Sequence, residues 1–397
     1  MECEPATSLR VVHLVQPVNG SIASAVADLV RAQIEAGLRV VVLCPSGGRL
    51  EREAARAGAR VRLWLAERAA GGNLPWEVLC ASRAIRRADP DVVHLHGDKA
   101  GLAGRLALRG RLPTVFQPHR WSFQAARGLS AQLARHWERR ATAWTDRVLC
   151  LGDQQRGAAA RAGLDVPTTV LRAAVDLARL PPAGQVARRQ ARAALASVHG
   201  LPQRAPLVVC VGRLDERHGQ DVLLRAWPRV AARVPGARLA LVGEGPERAA
   251  LRRAAGPDVL FTGRTEDILP WFAAADVVAA PTRWGGIGVA PLEAMAVGRP
   301  VVIGDVGGAA DSLPPGMSRP CLVTPGDPVA LAGALAELLV DPERRGALGE
   351  RARAHMAAVG DIRHTAATCA RVYREVLAGR AVEPAVPEVN VRVPRRR

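Results

Sequence analysis

Short apolar runs alternate along the chain with longer stretches whose apolar residues recur at helical spacing. The first run is Val11 to Val15. A polar loop, Gln16-Pro17-Val18-Asn19-Gly20-Ser21, leads into Ile22 to Ala36, which reads as a helix. Further strand-like runs are Arg39 to Cys44, Val61 to Leu65, Asp91 to His96, Pro113 to Gln117, Arg147 to Leu151 and Thr168 to Leu171, with a helix from Lys99 to Leu108. Runs that are apolar throughout belong to parallel sheets covered by helices on both faces. The pattern breaks at Arg-Leu-Pro-Pro-Ala-Gly (179–184), a linker composition. A helical segment, Gln185 to Ser197, opens a second series with strands at Leu207 to Val211, Leu239 to Val242, Val259 to Thr262, Val277 to Ala280, Val301 to Ile303 and Cys321 to Val323. Helices are predicted at Gln220 to Val234, where Pro228 should kink the backbone, and at Pro328 to Leu339 and Glu343 to Ala358. A last helix, Asp361 to Leu377, has no strand after it. The prediction is α/β: two doubly wound domains, 1–178 and 179–360, then a helix within 361–380 and a basic, Pro- and Val-rich tail at 381–397 that should be disordered. The cleft between two such domains is a favoured ligand site.

Residues 281–302 carry the densest local signal. The strand ending at Ala280 enters a loop with Gly285, Gly286 and Gly288, a short helix spans Pro291 to Val297, and Gly298 closes it. A glycine loop at a helix N-terminus binds anions, because unpaired N–H groups and the helix dipole point the same way. Glu293, in the first turn, fits either a ligand hydroxyl or the helix dipole itself. The first strand–loop–helix unit is also of nucleotide-binding type, but it lacks Gly-x-Gly-x-x-Gly, so no dinucleotide site is expected.

Composition adjusts this picture modestly. At 397 residues and 49% hydrophobic, the chain can fill two cores. The formal charge of +18 comes almost entirely from arginine, Lys99 being the only lysine, in a chain also rich in Ala, Gly and Pro. That surplus favours anionic partners such as nucleotide phosphates or acidic lipid. Nucleic acid is not expected, since zinc spacings, helix-turn-helix and stacking aromatics are lacking. The seven cysteines are scattered without a Cys-x-x-Cys pair. Those in strand runs, Cys44, Cys150 and Cys210, read as small buried hydrophobes in a reducing cytosol. The start, Met-Glu-Cys-Glu-Pro, is not a secretory signal, and no run reaches membrane-spanning length. A cytoplasmic protein follows, one that can rest peripherally on a membrane. Residues 120–145 bear on that: Trp121, Phe123, Leu129, Leu133, Trp137 and Trp144 have roughly helical spacing among five arginines. A helix with its apolar side in the core is the expectation, and a basic surface for anionic lipid the competing one.

Taken together, Gly286-Ile-Gly-Val-Ala-Pro-Leu-Glu293-Ala-Met-Ala-Val-Gly-Arg-Pro-Val-Val302 resembles the donor-site signature of retaining glycosyltransferase family 4, with the GT-B fold. Supporting segments run in order from Val11 to about Leu377: Asp91-Val-Val-His-Leu-His96, Gln117-Pro-His119-Arg-Trp-Ser-Phe, Val175-Asp176, Val211-Gly212-Arg213-Leu214, Gly243-Glu-Gly-Pro246 and Asp305-Val-Gly-Gly308. The resemblance implies two Rossmann-like domains facing across a cleft, with the last helix crossing back to the first. It implies transfer of a sugar from a UDP-, GDP- or ADP-sugar to an envelope glycan or lipid-linked acceptor, with retention and without metal or other cofactor. Under it, Arg213 clamps the diphosphate, Gly20 lets its loop approach the phosphates, and N–H groups near Gly288, Val289 and Ala290 hold phosphate or sugar. Glu293 takes the ribose hydroxyls and His119 faces the sugar. Without the family context, Arg213 reads as a surface arginine and His119 as a satisfied strand-end histidine. His94 and His96 share one strand face as structural or cleft-lining groups, and the lone Lys99 occupies a position that is often lysine in relatives.

The sequence departs from that signature at the donor site. Gly285 stands where the first of two glutamates is usual, His218 where a lysine is usual, and Ala173-Ala174 where Asn-Gly is usual. A histidine is only partly charged near neutral pH, so His218 is a weaker diphosphate ligand, and Arg217 beside it can substitute. Two functions follow: an active hexosyltransferase with altered sugar contacts, or a sugar-nucleotide-binding or regulatory subunit without turnover. Sugar-nucleotide epimerisation fits the motifs less well.

Overall fold

The computed structural model describes residues 8–66, 73–265 and 267–382. The basic tail predicted to be disordered lies almost entirely outside them. The first domain is built on seven parallel strands: β1 (Arg10–Val15), β2 (Arg39–Cys44), β3 (Arg60–Leu63), β4 (Val92–His96), β5 (Thr114–Gln117), β6 (Arg147–Cys150) and β7 (Thr168–Val170), in the order β3-β2-β1-β4-β5-β6-β7. The second has six: β8 (Leu207–Val211), β9 (Arg238–Val242), β10 (Val259–Gly263), β11 (Val277–Ala280), β12 (Val301–Gly304) and β13 (Leu322–Val323), in the order β10-β9-β8-β11-β12-β13. Both orders reverse direction beside their first strand, which opens a crevice at the strands' carboxyl ends. Parallel pairing with helices on both faces explains why the strands are apolar on both sides: Val11, Val12, Leu14 and Val15 of β1 are all fully buried.

The first sheet has a separate core on each face. One, beneath the helix Ser21–Glu35, includes Val11, Val15 and Val92 and is completed by Ile362, Cys369, Val372 and Tyr373 from the last helix, Ile362–Val382. That helix therefore returns to the first domain. Arg380 pins its end there, with Nε and Nη2 each donating at 2.7 Å to the Asp146 carboxylate and Nη1 donating to the Gly110 carbonyl at 2.8 Å.

Two local expectations change. The 179–184 segment has a linker's composition but is docked: Leu180 is buried, and the Ala183 N–H donates to the Val297 carbonyl at 3.1 Å. Residues 120–145 are not one core-facing helix. A short helix, Ser122–Ala125, is followed by extended backbone at Ala126 and Arg127, then by Gly128–Ala141 and a 3-10 turn, Thr142–Trp144. Leu129 and Leu133 are 71% and 64% exposed. The inward side of Gly128–Ala141 carries Ala131, Glu138 and Ala141 instead. Glu138 is turned inward by the Arg105 guanidinium at 2.9 Å, each partner only 2% exposed. An ion pair thus occupies the side that the apolar spacing would have given to the core.

Candidate functional site

The crevices of both sheets open into one cavity of about 940 Å³, walled by both domains. On the second-domain side, the loop after β11 is stretched around Gly285 (φ 89) and Gly288 (φ 76), left-handed conformations that disfavour any side chain. It ends at the helix Ala290–Val297, which has Val289 at its N-cap and no side chain satisfying its first N–H groups. Gly288 and Val289 line the cavity, so this is the anion-binding terminus that the glycine pattern predicts.

Arg217 fills the place beside Gly285. Its Nε donates to the Trp284 carbonyl at 3.2 Å and its Nη2 to the Gly286 carbonyl at 3.3 Å, and a Cβ built on Gly285 would stand 3.1 Å from the guanidinium. The glutamate usual at that position is thus replaced by a cation reaching over from another loop. Arg217 lines the cavity together with Arg120 of the first domain. Burial and the Arg120 charge both lower the pKa of Arg217, with Asp215 opposing.

The other second-domain residues singled out from sequence sit differently. Among the described residues, Arg213, His218, Ala290 and Glu293 are outside the cavity lining. Arg213 is 65% exposed, and its Nε lies 3.3 Å from an Asp215 carboxylate oxygen. The His218 ring is held by the same Asp215, Nδ1 to Oδ1 at 2.6 Å. Glu293 is half-buried and faces the first domain. Burial pushes its carboxyl up to about 7, Asp28 adds to the rise, and Arg49 and Arg179 oppose it. Gly20 (φ 88) caps the helix Ser21–Glu35, with open space where a Cβ would stand.

The first-domain wall is chemically mixed. Leu133, Trp137 and Ser122 line it, as does Lys99, whose Nζ lies 2.8 Å from Glu77 Oε1. Lys99 therefore has a cavity position and a carboxylate neighbour. His119, directly after β5, lines the cavity with a left-handed backbone (φ 55) uncommon outside glycine. Burial pushes its imidazole down to about 4, so it is neutral at physiological pH.

Behind His119 lies a cluster that the sequence did not reveal. His94 and His96 are fully buried, His96 reaching the cavity lining from behind, and His13 of β1 joins them. The β1–β4 register pairs His13 with His94 and Val15 with His96, which brings the three rings onto one face. Their facing nitrogens lie within 4.8 Å of one another, so a histidine set exists where the sequence suggested none. His13 Nδ1 and His96 Nε2, however, are 2.8 Å apart. Two ligands on one tetrahedral ion at about 2.0 Å keep a separation of about 3.3 Å, so this pair is a hydrogen bond. The alternation of His94 and His96 hinted at a shared face; nothing local marked His13.

Comparisons with known proteins agree with the two-domain architecture. Residues 22–179 match the family model Glycosyltransferase Family 4, and residues 205–341 match Glycosyl transferases group 1. A GDP-mannose-dependent monoacylated alpha-(1-6)-phosphatidylinositol monomannoside mannosyltransferase of Corynebacterium glutamicum is 40% identical over 197 residues, 46% of this chain and 50% of that protein. The chain thus spans about half the length of this relative. The lipopolysaccharide core biosynthesis mannosyltransferase LpsB of Rhizobium meliloti is 31% identical over 254 residues, 60% of this chain and 70% of that protein. Among solved structures, Anabaena Alr3699/HepE in complex with UDP and glucose superposes with a TM-score of 0.79 at 20% identity, covering 92% of this chain and 100% of that one. Sucrose-phosphate synthase from Thermosynechococcus elongatus gives 0.75 at 22% identity, covering 94% and 100%. At such identity the two structures speak for the fold. No helix among the described residues is long and apolar enough to cross a membrane.

Proposed function

We propose that this chain, which belongs to glycosyltransferase family 4, is a retaining hexosyltransferase that moves a sugar, mannose from GDP-mannose in the first instance, onto a glycan or lipid-linked acceptor. The observation that carries the reading is the single cavity in which Arg217 and the Gly285–Val289 loop face His119 across the two domains. In the transfer, the anomeric carbon exchanges its bond to a phosphate oxygen for one to an acceptor hydroxyl oxygen. The nucleoside diphosphate leaves with the bonding electrons, and the hydroxyl proton is released. Charge therefore develops on the diphosphate, where a guanidinium and unpaired helix N–H groups stabilise it most. Arg217 is the better placed clamp, and Arg213 a second one from the rim. Glu293 would receive the ribose hydroxyls, and the wall around Lys99, Ser122 and Trp137 would take the acceptor. The mannosyl donor is supported by two of the relatives, a GDP-mannose-dependent phosphatidylinositol monomannoside mannosyltransferase and a lipopolysaccharide core biosynthesis mannosyltransferase. The exposed Leu129 and Leu133 beside Arg135, Arg139 and Arg140 suit the surface of an anionic membrane carrying such an acceptor.

The replacement of the family acid by Arg217 at Gly285 favours one alternative, a chain that binds the donor without turning it over. Calorimetric titration with GDP, UDP, ADP and their hexose conjugates, paired with donor-hydrolysis and lipid-acceptor transfer assays, separates the two. GDP-mannose binding with turnover is expected. Binding without turnover selects the alternative, and no binding by any donor defeats both.

A further inference from the structure

A line of buried hydrogen bonds runs from the cavity wall into the first-domain core. His119 Nε2 lies 3.3 Å from His96 Nδ1, His96 Nε2 lies 2.8 Å from His13 Nδ1, and His13 Nε2 lies 2.8 Å from Gln33 Oε1. Gln33 hangs from the helix Ser21–Glu35, and its amide nitrogen donates to Tyr373 Oη of the returning helix at 3.1 Å. His13, Gln33, His96 and Tyr373 are all fully buried.

Burial keeps the imidazoles of this line neutral: His13 and His119 are pushed down to about 4, and His96 well below its ordinary value. A neutral imidazole has one N–H and one lone pair. With the Gln33 amide oriented so that its nitrogen donates to Tyr373 Oη, that constraint sets the proton in each contact of the line. The Gln33 amide oxygen can only accept, so His13 carries its proton on Nε2 and offers a lone pair at Nδ1. His96 must then donate from Nε2, which leaves its Nδ1 as an acceptor for His119 Nε2–H. His119 is left with its lone pair on Nδ1. A misplaced proton would set two lone pairs or two N–H groups against each other in the dry core, and such a mismatch is costly.

We propose that His96 and His13, anchored by Gln33, are positioning residues that hold His119 as its Nε2–H tautomer and so present Nδ1 to the cavity as a hydrogen-bond acceptor for a hydroxyl of the transferred sugar. The sugar contact rests on the donor-site reading above; the tautomer does not. The partner is thereby specified by chemistry: a hydroxyl that donates. Fluorine in place of that hydroxyl accepts only and meets a lone pair, so one ring-fluorinated donor analogue should bind worse than the matching deoxy analogue.

The test is a long-range proton–nitrogen correlation spectrum of the full-length chain, labelled on its histidine rings and recorded at pH 7 without ligand. His119 is expected as a single Nε2–H species. Gln33→Met, similar in size but without the acceptor oxygen, should turn that signal into a mixture and lower transfer kcat/KM about tenfold. Gln33→Glu, which keeps an oxygen facing His13, should restore the single tautomer. A purely structural role would lower thermal stability and leave the His119 signal unchanged in Gln33→Met. Wild-type His119 protonated on Nδ1, or already mixed, overturns the proposal without any variant. Zinc at one equivalent in the purified protein, read by elemental analysis, also overturns it, because the ion would take the His13 lone pair. Failure of nucleotide-sugar binding shows in calorimetry, not in these spectra, and would overturn the sugar contact alone.

Discussion

The two sheets share a strand order but put their polar chemistry in different places. In the first, the central pair β1 and β4 carries histidines within the strands, paired in register as His13 with His94. In the second, the equivalent pair β8 and β11 is apolar, Val208 meeting Val277 and Val209 meeting Val278, and the polar groups stand on the loops beyond the strands. A group inside a strand is dry and fixed by its neighbours, so it is suited to setting direction. A group on a loop stays partly hydrated and can meet a charged ligand at lower desolvation cost. Breaking the first kind should show mainly in stability or tautomer, and breaking the second mainly in affinity.

The largest effect is expected at the first domain's Arg105–Glu138 ion pair, which joins two helices rather than strands but is buried as the strand histidines are. Glu138→Ala leaves Arg105 charged and uncompensated, and should cost about 3–5 kcal/mol of unfolding free energy in chemical denaturation, with nucleotide affinity kept. A loss under 1 kcal/mol would mean that the pair is effectively hydrated. In the second domain, Arg217→Ala should lower nucleoside-diphosphate affinity by about ten- to a hundredfold, from the loss of about 1.5–3 kcal/mol of charged hydrogen bonding. It should barely change stability. Arg213→Ala should do less, because Arg213 is exposed and shares Asp215; equal effects in calorimetry would show that the rim arginine is as much a clamp as Arg217.

Smaller effects are expected where loop backbone and charge meet. Gly285→Glu returns the family's acid, but to a backbone at φ 89 and against the Arg217 guanidinium. About 1–2 kcal/mol of strain and an ion pair that occupies Arg217 should weaken diphosphate binding several-fold; a gain in turnover would instead show that only the acid was missing. The smallest effect concerns pH. The Glu293 carboxyl is raised from an ordinary 4.5 to about 7. The folded chain thus holds a proton that the unfolded chain has lost, and this group's contribution to stability falls as pH rises between those values. To accept from both ribose hydroxyls with both oxygens it must be ionised, so nucleotide affinity should rise a few-fold from pH 6 to pH 8. Glu293→Gln should flatten both dependences in calorimetry and denaturation, and an unchanged slope would remove Glu293 from the site.

Much of the architecture was legible because strands and helix ends leave local marks. The apolar run Val277 to Ala280 matches its strand to the residue, and Gly298 marks the helix end at Val297. Less legible were the helices Arg49–Arg56 and Leu74–Ala88, whose arginines dilute the apolar period. The 120–145 region misled for a related reason: apolar spacing cannot tell a core from a cavity wall, and Leu133 and Trp137 line the cavity. In the donor loop, the sequence located the glycines and the missing acid, while the neighbour that fills its place came from a loop 68 positions earlier.

By itself, then, the sequence determined two parallel α/β sheets, the glycine loop before Ala290, and the absence of an acid at position 285, because backbone conformation and periodicity are encoded over a few residues. Only the tertiary structure decided that Arg217 covers Gly285, that Glu293 faces the first domain, and that His13 meets His96 across 83 positions and Gln33 meets Tyr373 across 340. Those meetings depend on strand register and on where the last helix docks. Both are set by burial summed over whole surfaces, and no short stretch of sequence contains that sum.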